Sequence, residues 1–253
     1  MTESAWTDRL RDNLAQVRGA IADACQRSGR APTAVRLIAV TKYVPVSVLR
    51  AVVAAGVDDL GESQVQQLTA RARECGPQQF DWAGEHRGVP RWHMIGHVQR
   101  NKVKALLPHA RIIHSLDSQR LADTLEQHAA AIGAEVSVFI EVNIAGEATK
   151  EGVTPTEVPG LIAGLARCPH LRLRGLMTMA PFDPDPERAR PHFARLRMLR
   201  DELQATGVAG PDCVHLSMGM SQDYVVAVEE GATCVRVGSA LFAGLPTSDP
   251  RAG

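Results

Sequence analysis

Between residues 4 and 28, apolar side chains fall at Trp6, Leu10, Leu14, Val17, Ile21 and Cys25, spacings of three and four that draw one helical stripe. Ser4 offers an N-cap and Gly29 a stop, so the pattern predicts an amphipathic opening helix. Beyond it the period changes. Short β-branched runs alternate with stretches of helical character, the order expected of βαβ units and a parallel sheet. Eight runs stand out, at 35–40, 57–60, 92–95, 111–114, 136–142, 171–176, 213–216 and 234–237. The helical stretches between them open near Pro45, Glu62, Val98, Ser118, Pro155, Pro186 and Ser221, several of them suited to an N-cap or a first helical turn. A ninth helix after Gly238 is expected to close the ring.

Eight strands in 253 residues match a (β/α)8 TIM-type barrel with an extra N-terminal helix, a single domain over residues 1–253. The alternative is an open doubly wound sheet, but no G-x-G-x-x-G follows the first strand and no switch-point pattern stands out. The second run is the weakest, because Asp58 and Asp59 interrupt it. The segment 181–192, rich in proline and charge, reads as a loop running into a solvated helix rather than a linker.

In such a barrel the residues just past the strand C-termini form the functional mouth. That rule gathers Lys42, Gly61, Glu62, Gly96, His97, Ser115, Asn143, Met177, Thr178, Ser217, Gly238 and Ser239 on one face. The last two loops, 215–221 (HLSMGMS) and 235–244 (VRVGSALFAG), carry small residues and hydroxyls. Unsatisfied N–H groups at the starts of the helices that follow would favour an anion, and this pair of loops is the recurrent phosphate site of the fold. Taken singly, Gly219 and Gly238 suit tight turns and Ser217 and Ser239 suit caps; taken together they favour a ligand cradle. Arg236 alternates with Val235 and Val237, so it points into the barrel if the valines face the helices. Buried there it needs a partner, either a carboxylate such as Glu141 or an acceptor on a ligand. A lysine after a strand is most often solvated; near barrel walls Lys42 can lose hydration and supply the neutral amine that attacks an aldehyde.

Charge and composition narrow the partners. Lys plus Arg and Asp plus Glu both number 28, so no global field draws nucleic acid or an anionic membrane. The basic stretch 97–104 (HVQRNKVK) reads as a solvated helix face. Five scattered cysteines form no C-x-x-C pair, and the chain opens without an apolar leader or a long apolar span, which together predict a cytoplasmic protein. His93, His97 and His114 invite a metal reading, but His93 lies within a strand and no H-E-x-x-H is formed, so core histidines are expected and no metal.

The strings AVTKYVP (39–45), GESQVQQ (61–67), RWHMIGHVQRNKVK (91–104), IHSLDS (113–118), EVNIAGEATKEGV (141–153), RGLMTMA (174–180) and the run from His215 to Gly244 resemble, in this order, the pyridoxal phosphate homeostasis proteins. That family consists of single-barrel relatives of the alanine racemase N-terminal domain. The resemblance implies pyridoxal 5′-phosphate held as a Schiff base on Lys42, with Arg236 donating to the pyridine nitrogen. Ser217, Gly238 and Ser239 would contact the phosphate. The sequence departs from the family at Ser63 and Gln64, where asparagine and tyrosine are usual, and at Ser239, where threonine is common.

An arginine at the ring nitrogen keeps it unprotonated and weakens the ring as an electron sink. Only 16 residues follow Val237, too few for the second domain that supplies a racemase with its opposite base. The expectation is therefore a carrier with no catalytic residue, which buffers or delivers the cofactor, with apo-enzymes as recipients, and influences amino-acid and keto-acid pools indirectly. The alternative is an amino-acid racemase or lyase with an open one-domain site. Without the racemase-type second domain, a monomer is expected.

Overall fold

The computed structural model describes residues 3–42, 44–82, 88–147 and 151–246. Eight parallel strands close into one barrel in chain order: β1 (Arg36–Val40), β2 (Asp59–Glu62), β3 (Arg91–Met94), β4 (Ile112–Leu116), β5 (Val136–Glu141), β6 (Leu171–Met177), β7 (His215–Ser217) and β8 (Cys234–Val237). The (β/α)8 barrel predicted from the strand count is the fold observed. Every residue of β5 is buried, as expected of a parallel strand covered on both faces. Every strand but β8 differs from its expected bounds by one or two residues, and two of the differences bear on the mouth. β2 starts at Asp59 rather than 57 and runs on to take in Glu62. β7 runs one residue further than expected and takes in Ser217.

The outer layer comprises α1 (Glu3–Arg27), α2 (Val46–Ala54), α3 (Val65–Cys75), α4 (Val103–Leu106), α5 (Gln119–Ala131), α6 (Val158–Leu165), α7 (Arg190–Ala205) and α8 (Tyr224–Glu229). α5 shows how locally these are specified. The Ser118 hydroxyl accepts from the Leu121 N–H at 3.3 Å, Leu121, Leu125 and Ala129 turn inward, and Gly133 at φ 59° follows the end. The stretch 97–104 lies largely in a 3-10 turn (Arg100–Lys102) and the short α4, with Arg100 and Lys104 exposed.

α1 carries the predicted apolar stripe, buried from Trp6 to Cys25, but it already runs at Glu3, so Ser4 lies inside it. The ninth helix expected after Gly238 does not form among the described residues. Turns take its place, with the N–H groups of Leu241 and Phe242 both bonded to the Gly238 carbonyl. The seat that such a helix would fill belongs to α1, which packs against α8 and α2. Asn13 on α1 donates to the carbonyls of Leu241 and Ala243, both at 3.0 Å, satisfying turn acceptors that a helix would have satisfied internally.

Inside the barrel, Ile38, Ile112, Phe139, Met177 and Cys234 pack together with Trp82, which enters from the N-terminal end of the strands. None of the five cysteines forms a disulfide, and among the described residues no helix is long and apolar enough to cross a membrane.

Candidate functional site

At the C-terminal mouth a cavity of about 680 Å³ opens between the ends of β1, β3, β7 and β8. Its wall is mostly apolar, from Val44, Ile95, Met179, Met220 and Phe242, and its polar members include Lys42, Ser221, Arg236, Gly238 and Ser239. An apolar hollow with a few convergent polar groups is the usual form of a small-molecule site. Gly96 lets β3 pass close to β2 here, since a Cβ at that position would collide with the backbone of Ser63, itself a cavity residue.

Lys42 stands in the turn after β1, exposed at the rim. Its backbone is clamped from outside. The Arg71 guanidinium donates to the Thr41 carbonyl at 2.5 Å and to the Lys42 carbonyl at 3.3 Å. Arg71 is in turn 3.3 Å from Glu62, whose Oε1 accepts from the Thr41 hydroxyl at 2.8 Å. Glu62 is fully buried, and burial pushes its carboxyl up while Arg71 pulls it back. Read from the sequence as a loop residue, Glu62 is thus a strand residue that anchors the lysine turn.

The last two loops meet across one oxygen. Ser221 Oγ accepts from the N–H groups of Gly238 at 3.1 Å and Ala240 at 3.3 Å, so two backbone donors converge on a point in the cavity wall. The approach depends on Gly219, at φ +93°, where a Cβ would come within 2.5 Å of the Ala227 Cβ. The donors come from the turn after β8, not from the two helix N-termini expected. The Ser221 hydroxyl thus ties the turn after β8 to the loop after β7 at the cavity wall. Ser239, exposed beside them, adds a hydroxyl at the rim.

Arg236 points inward as strand parity predicts and is 3% exposed. Its partner is not Glu141. The guanidinium donates to Ser217 Oγ at 2.6 Å and to the Thr178 carbonyl at 2.9 Å. Burial pulls its pKa down, and the charges of Glu141 and Asp223 oppose that. Glu141 itself is 3% exposed, has one carboxylate oxygen buried without a hydrogen-bond partner, and is pushed up to about 7 by burial and by Glu151.

Ser217, expected to touch an anion, is fully buried and lies outside the cavity wall. It ends β7 instead of following it, so its hydroxyl faces the lumen and supports Arg236 from below. Ser221 does line the cavity, as Ser63 and Ser239 do, and it lies in the loop 215–221 without having stood out from the sequence. A detectable signal existed: Ser221 is the first hydroxyl beyond the turn-forming Gly219. Other polar residues of the predicted mouth serve the loops. Ser115 donates to the Gly96 carbonyl, Thr178 to the Val142 carbonyl, and Asn143 closes a turn over residues 143–147. Gln64 is exposed at the start of α3, and Tyr43 lies outside the described residues.

The histidines divide as the core reading expects. His93 and His114 are fully buried with all four ring nitrogens engaged, in a chain joining Asp59, His93, His114 and Ser217. His97 lies apart, half exposed, 3.2 Å from Asp117. Among the described residues no cluster of three or more acidic, histidine or cysteine side chains is arranged to hold a metal.

Residues 7–246 match the family model described as the alanine racemase N-terminal domain. The pyridoxal phosphate homeostasis protein of Aquifex aeolicus is 40% identical over 91% of this chain and 96% of its own, and that of Pseudomonas aeruginosa is 38% identical over 92% and 94%. Among solved structures, PipY of Synechococcus elongatus with PLP bound is 30% identical, with a TM-score of 0.76 over 92% of this chain and 100% of its own. An alanine racemase from Clostridium difficile, 18% identical with a TM-score of 0.68 and 58% covered, shares the fold. The barrel and the strings along its mouth have one common origin: the chain belongs to the pyridoxal phosphate homeostasis protein family.

Proposed function

We propose that this protein binds pyridoxal 5′-phosphate covalently through Lys42 and buffers or delivers it, without turning over a substrate of its own. The donor set fits the group. The cofactor supplies an aldehyde, a phosphate and a pyridine nitrogen, and the cavity offers an amine at Lys42, converging amides and hydroxyls at Ser221, Gly238 and Ser239, and a guanidinium at Arg236. Ser217 acts one layer below, holding Arg236. The PLP-bound PipY structure and the names of the relatives support the same reading.

One observation favours a carrier over an enzyme: among the described cavity-lining residues the titratable side chains are Lys42 and Arg236. A guanidinium fixed by two hydrogen bonds donates but does not hand over its proton, so a ring nitrogen facing Arg236 would stay bare. Two-base chemistry needs a second proton-transfer group facing the substrate. Tyr224 sits on α8 outside the wall, with its hydroxyl pushed up by burial. Five unpaired cysteines suit a reducing, cytoplasmic setting, and apo-enzymes that need the cofactor are the natural recipients.

Borohydride treatment of the protein loaded with pyridoxal 5′-phosphate, followed by peptide mass analysis, is expected to place the adduct on Lys42 and to find none in Lys42→Ala. An adduct on another lysine, or none on the wild type, overturns the attachment. For the carrier role the measurement is deuterium uptake at the α-carbon of amino acids in D₂O. Sustained Lys42-dependent exchange at enzyme-like rates would overturn it in favour of a racemase or lyase.

A further inference from the structure

Beneath the cavity, hydrogen bonds run in a single line through the lumen. Arg236 on β8 donates to Ser217 Oγ on β7 at 2.6 Å, and that oxygen lies 2.8 Å from His114 Nδ1 on β4. His114 Nε2 lies 2.9 Å from His93 Nδ1 on β3, and His93 Nε2 lies 2.8 Å from Asp59 Oδ1 on β2. The line therefore joins the cavity to the opposite end of the barrel, where Arg91 at 2.7 Å and Arg36 at 3.3 Å also hold Asp59.

Its two ends have fixed and opposite polarity. A guanidinium has donors only, and an ionised carboxylate has acceptors only. Burial opposes the charge on Asp59, but the bond from His93 and the charges of Arg36 and Arg91 outweigh it and hold the carboxyl well below its usual range. Between such ends, neutral imidazoles have one consistent arrangement. His93 carries its proton on Nε2 toward Asp59 and accepts at Nδ1; His114 carries its proton on Nε2 toward His93 and accepts at Nδ1; Ser217 donates to His114 and accepts from Arg236. Burial favours neutral rings at both histidines, against the pull of Asp59 on His93 and with Arg236, Arg36 and His215 acting in the same sense on His114. Phe139 stacks on His114 with centroids 4.3 Å apart and planes 6° from parallel, fixing the ring that carries the middle of the line.

We propose that Asp59, His93, His114 and Ser217 are positioning residues for Arg236, a string of hydrogen bonds of one polarity that orients its guanidinium as a donor toward the cavity. The proposal deepens the reading above, since the group it positions is the one that meets the ring nitrogen. Reversing the string would switch the tautomer of both rings and swing the hydroxyl round, with two acceptors left face to face at Asp59 and two donors at Arg236.

The test begins without cofactor, on the full chain labelled with ¹⁵N at histidine. Long-range ¹⁵N–¹H correlation is expected to show protonated Nε2 and bare Nδ1 on His93 and His114, unchanged from about pH 5.5 to 8, on the ordinary ring-nitrogen chemistry of histidine. A proton on Nδ1 of either ring, or an imidazolium in that range, overturns the proposal. In Asp59→Asn the terminal acceptor loses its fixed polarity, and His114, two bonds away, is expected to show mixed tautomers; an unchanged His114 counts against the string. Ser217→Ala is expected to weaken pyridoxal 5′-phosphate binding about tenfold with Ser217→Thr restoring it, the scale of one lost hydrogen bond beside a charge. Binding within about twofold of wild type in Ser217→Ala would sever the string from the cavity. Failure of the Lys42 adduct with the histidine signals as expected would instead sink the attachment and leave the string standing.

Discussion

The base of the barrel brings Arg36, Arg91, Asp59, His93 and Trp82 into mutual contact, whereas the mouth sets one lysine, one arginine and a few hydroxyls around an apolar hollow. At the base each charge is answered inside the protein. Arg36 and Arg91 share Asp59 and the Trp82 carbonyl, and Trp82 gives its indole N–H to His215 at 3.0 Å. At the mouth, donors converge on points in the cavity wall. The same eight strands carry both ends; the base closes on itself as a packed polar cluster, whereas the mouth keeps a cavity beside its polar groups. A packed polar cluster stabilises one structure; a hollow edged by a few polar groups has room to stabilise a complex as well.

The largest effect that would break this contrast is expected at the base. Trp82 is 8% exposed and fills the lumen with Ile38, Phe139 and Ile112, so Trp82→Ala is expected to cost about 3–5 kcal/mol in urea unfolding. A cost below about 1 kcal/mol would mean that the base is no packed plug.

Titration separates the two ends by sign. His93 and His114 are pulled down by burial, and His215 is pulled down to about 4 by burial and by Arg36, from an ordinary value of 6.5. In each case the unfolded chain binds the extra proton, so stability contributed at the base is present above pH 6.5 and is lost as pH falls toward 4. Glu141 at the mouth behaves oppositely. Its pKa rises from 4.5 to about 7, the folded chain holds the extra proton, and stability falls as pH rises through that window. Glu141→Gln is expected to gain on the order of 1–3 kcal/mol over wild type at pH 8 and nothing at pH 4. Equal stabilities of the two proteins at pH 8 would show that the carboxylate has a partner when charged.

The smallest effect is the most local. Ser221→Ala removes the oxygen on which Gly238 and Ala240 converge, and is expected to weaken binding of pyridoxal 5′-phosphate about three- to tenfold in a fluorescence titration while shifting the unfolding midpoint little. A large loss of stability with unchanged binding would make Ser221 a loop staple like those at the base.

Much of this was legible from residue order, and the exceptions share a cause. Alternation and strand count were enough for the barrel, and parity alone sent Arg236 inward. What pattern could not resolve is the last residue of a strand. Ser217 and Ser221 are both hydroxyls near one turn, and a one-residue extension of β7 decides that the first faces the lumen and the second the cavity. The pairing of His93 with His114 depends on which residues of β3 and β4 share a level, a matter of register between strands rather than of composition along them. Among the described residues turns replace the expected ninth helix, and α1 holds the seat through tertiary contacts that no local propensity records.

That seat has a consequence for assembly. α1 leaves the ribosome before every strand, yet the surfaces it covers, α8 and the turn from Gly238 to Leu245, appear only after the seventh strand. The contacts of Asn13 span 228 and 230 residues of chain, the kind of long-range closure that slows folding. The loops that carry Ser221 and Gly238 complete the cavity at the same stage. Ring closure and the capacity to receive a ligand therefore mature together, and a nascent chain that has not yet clasped its own first helix has no vessel to fill.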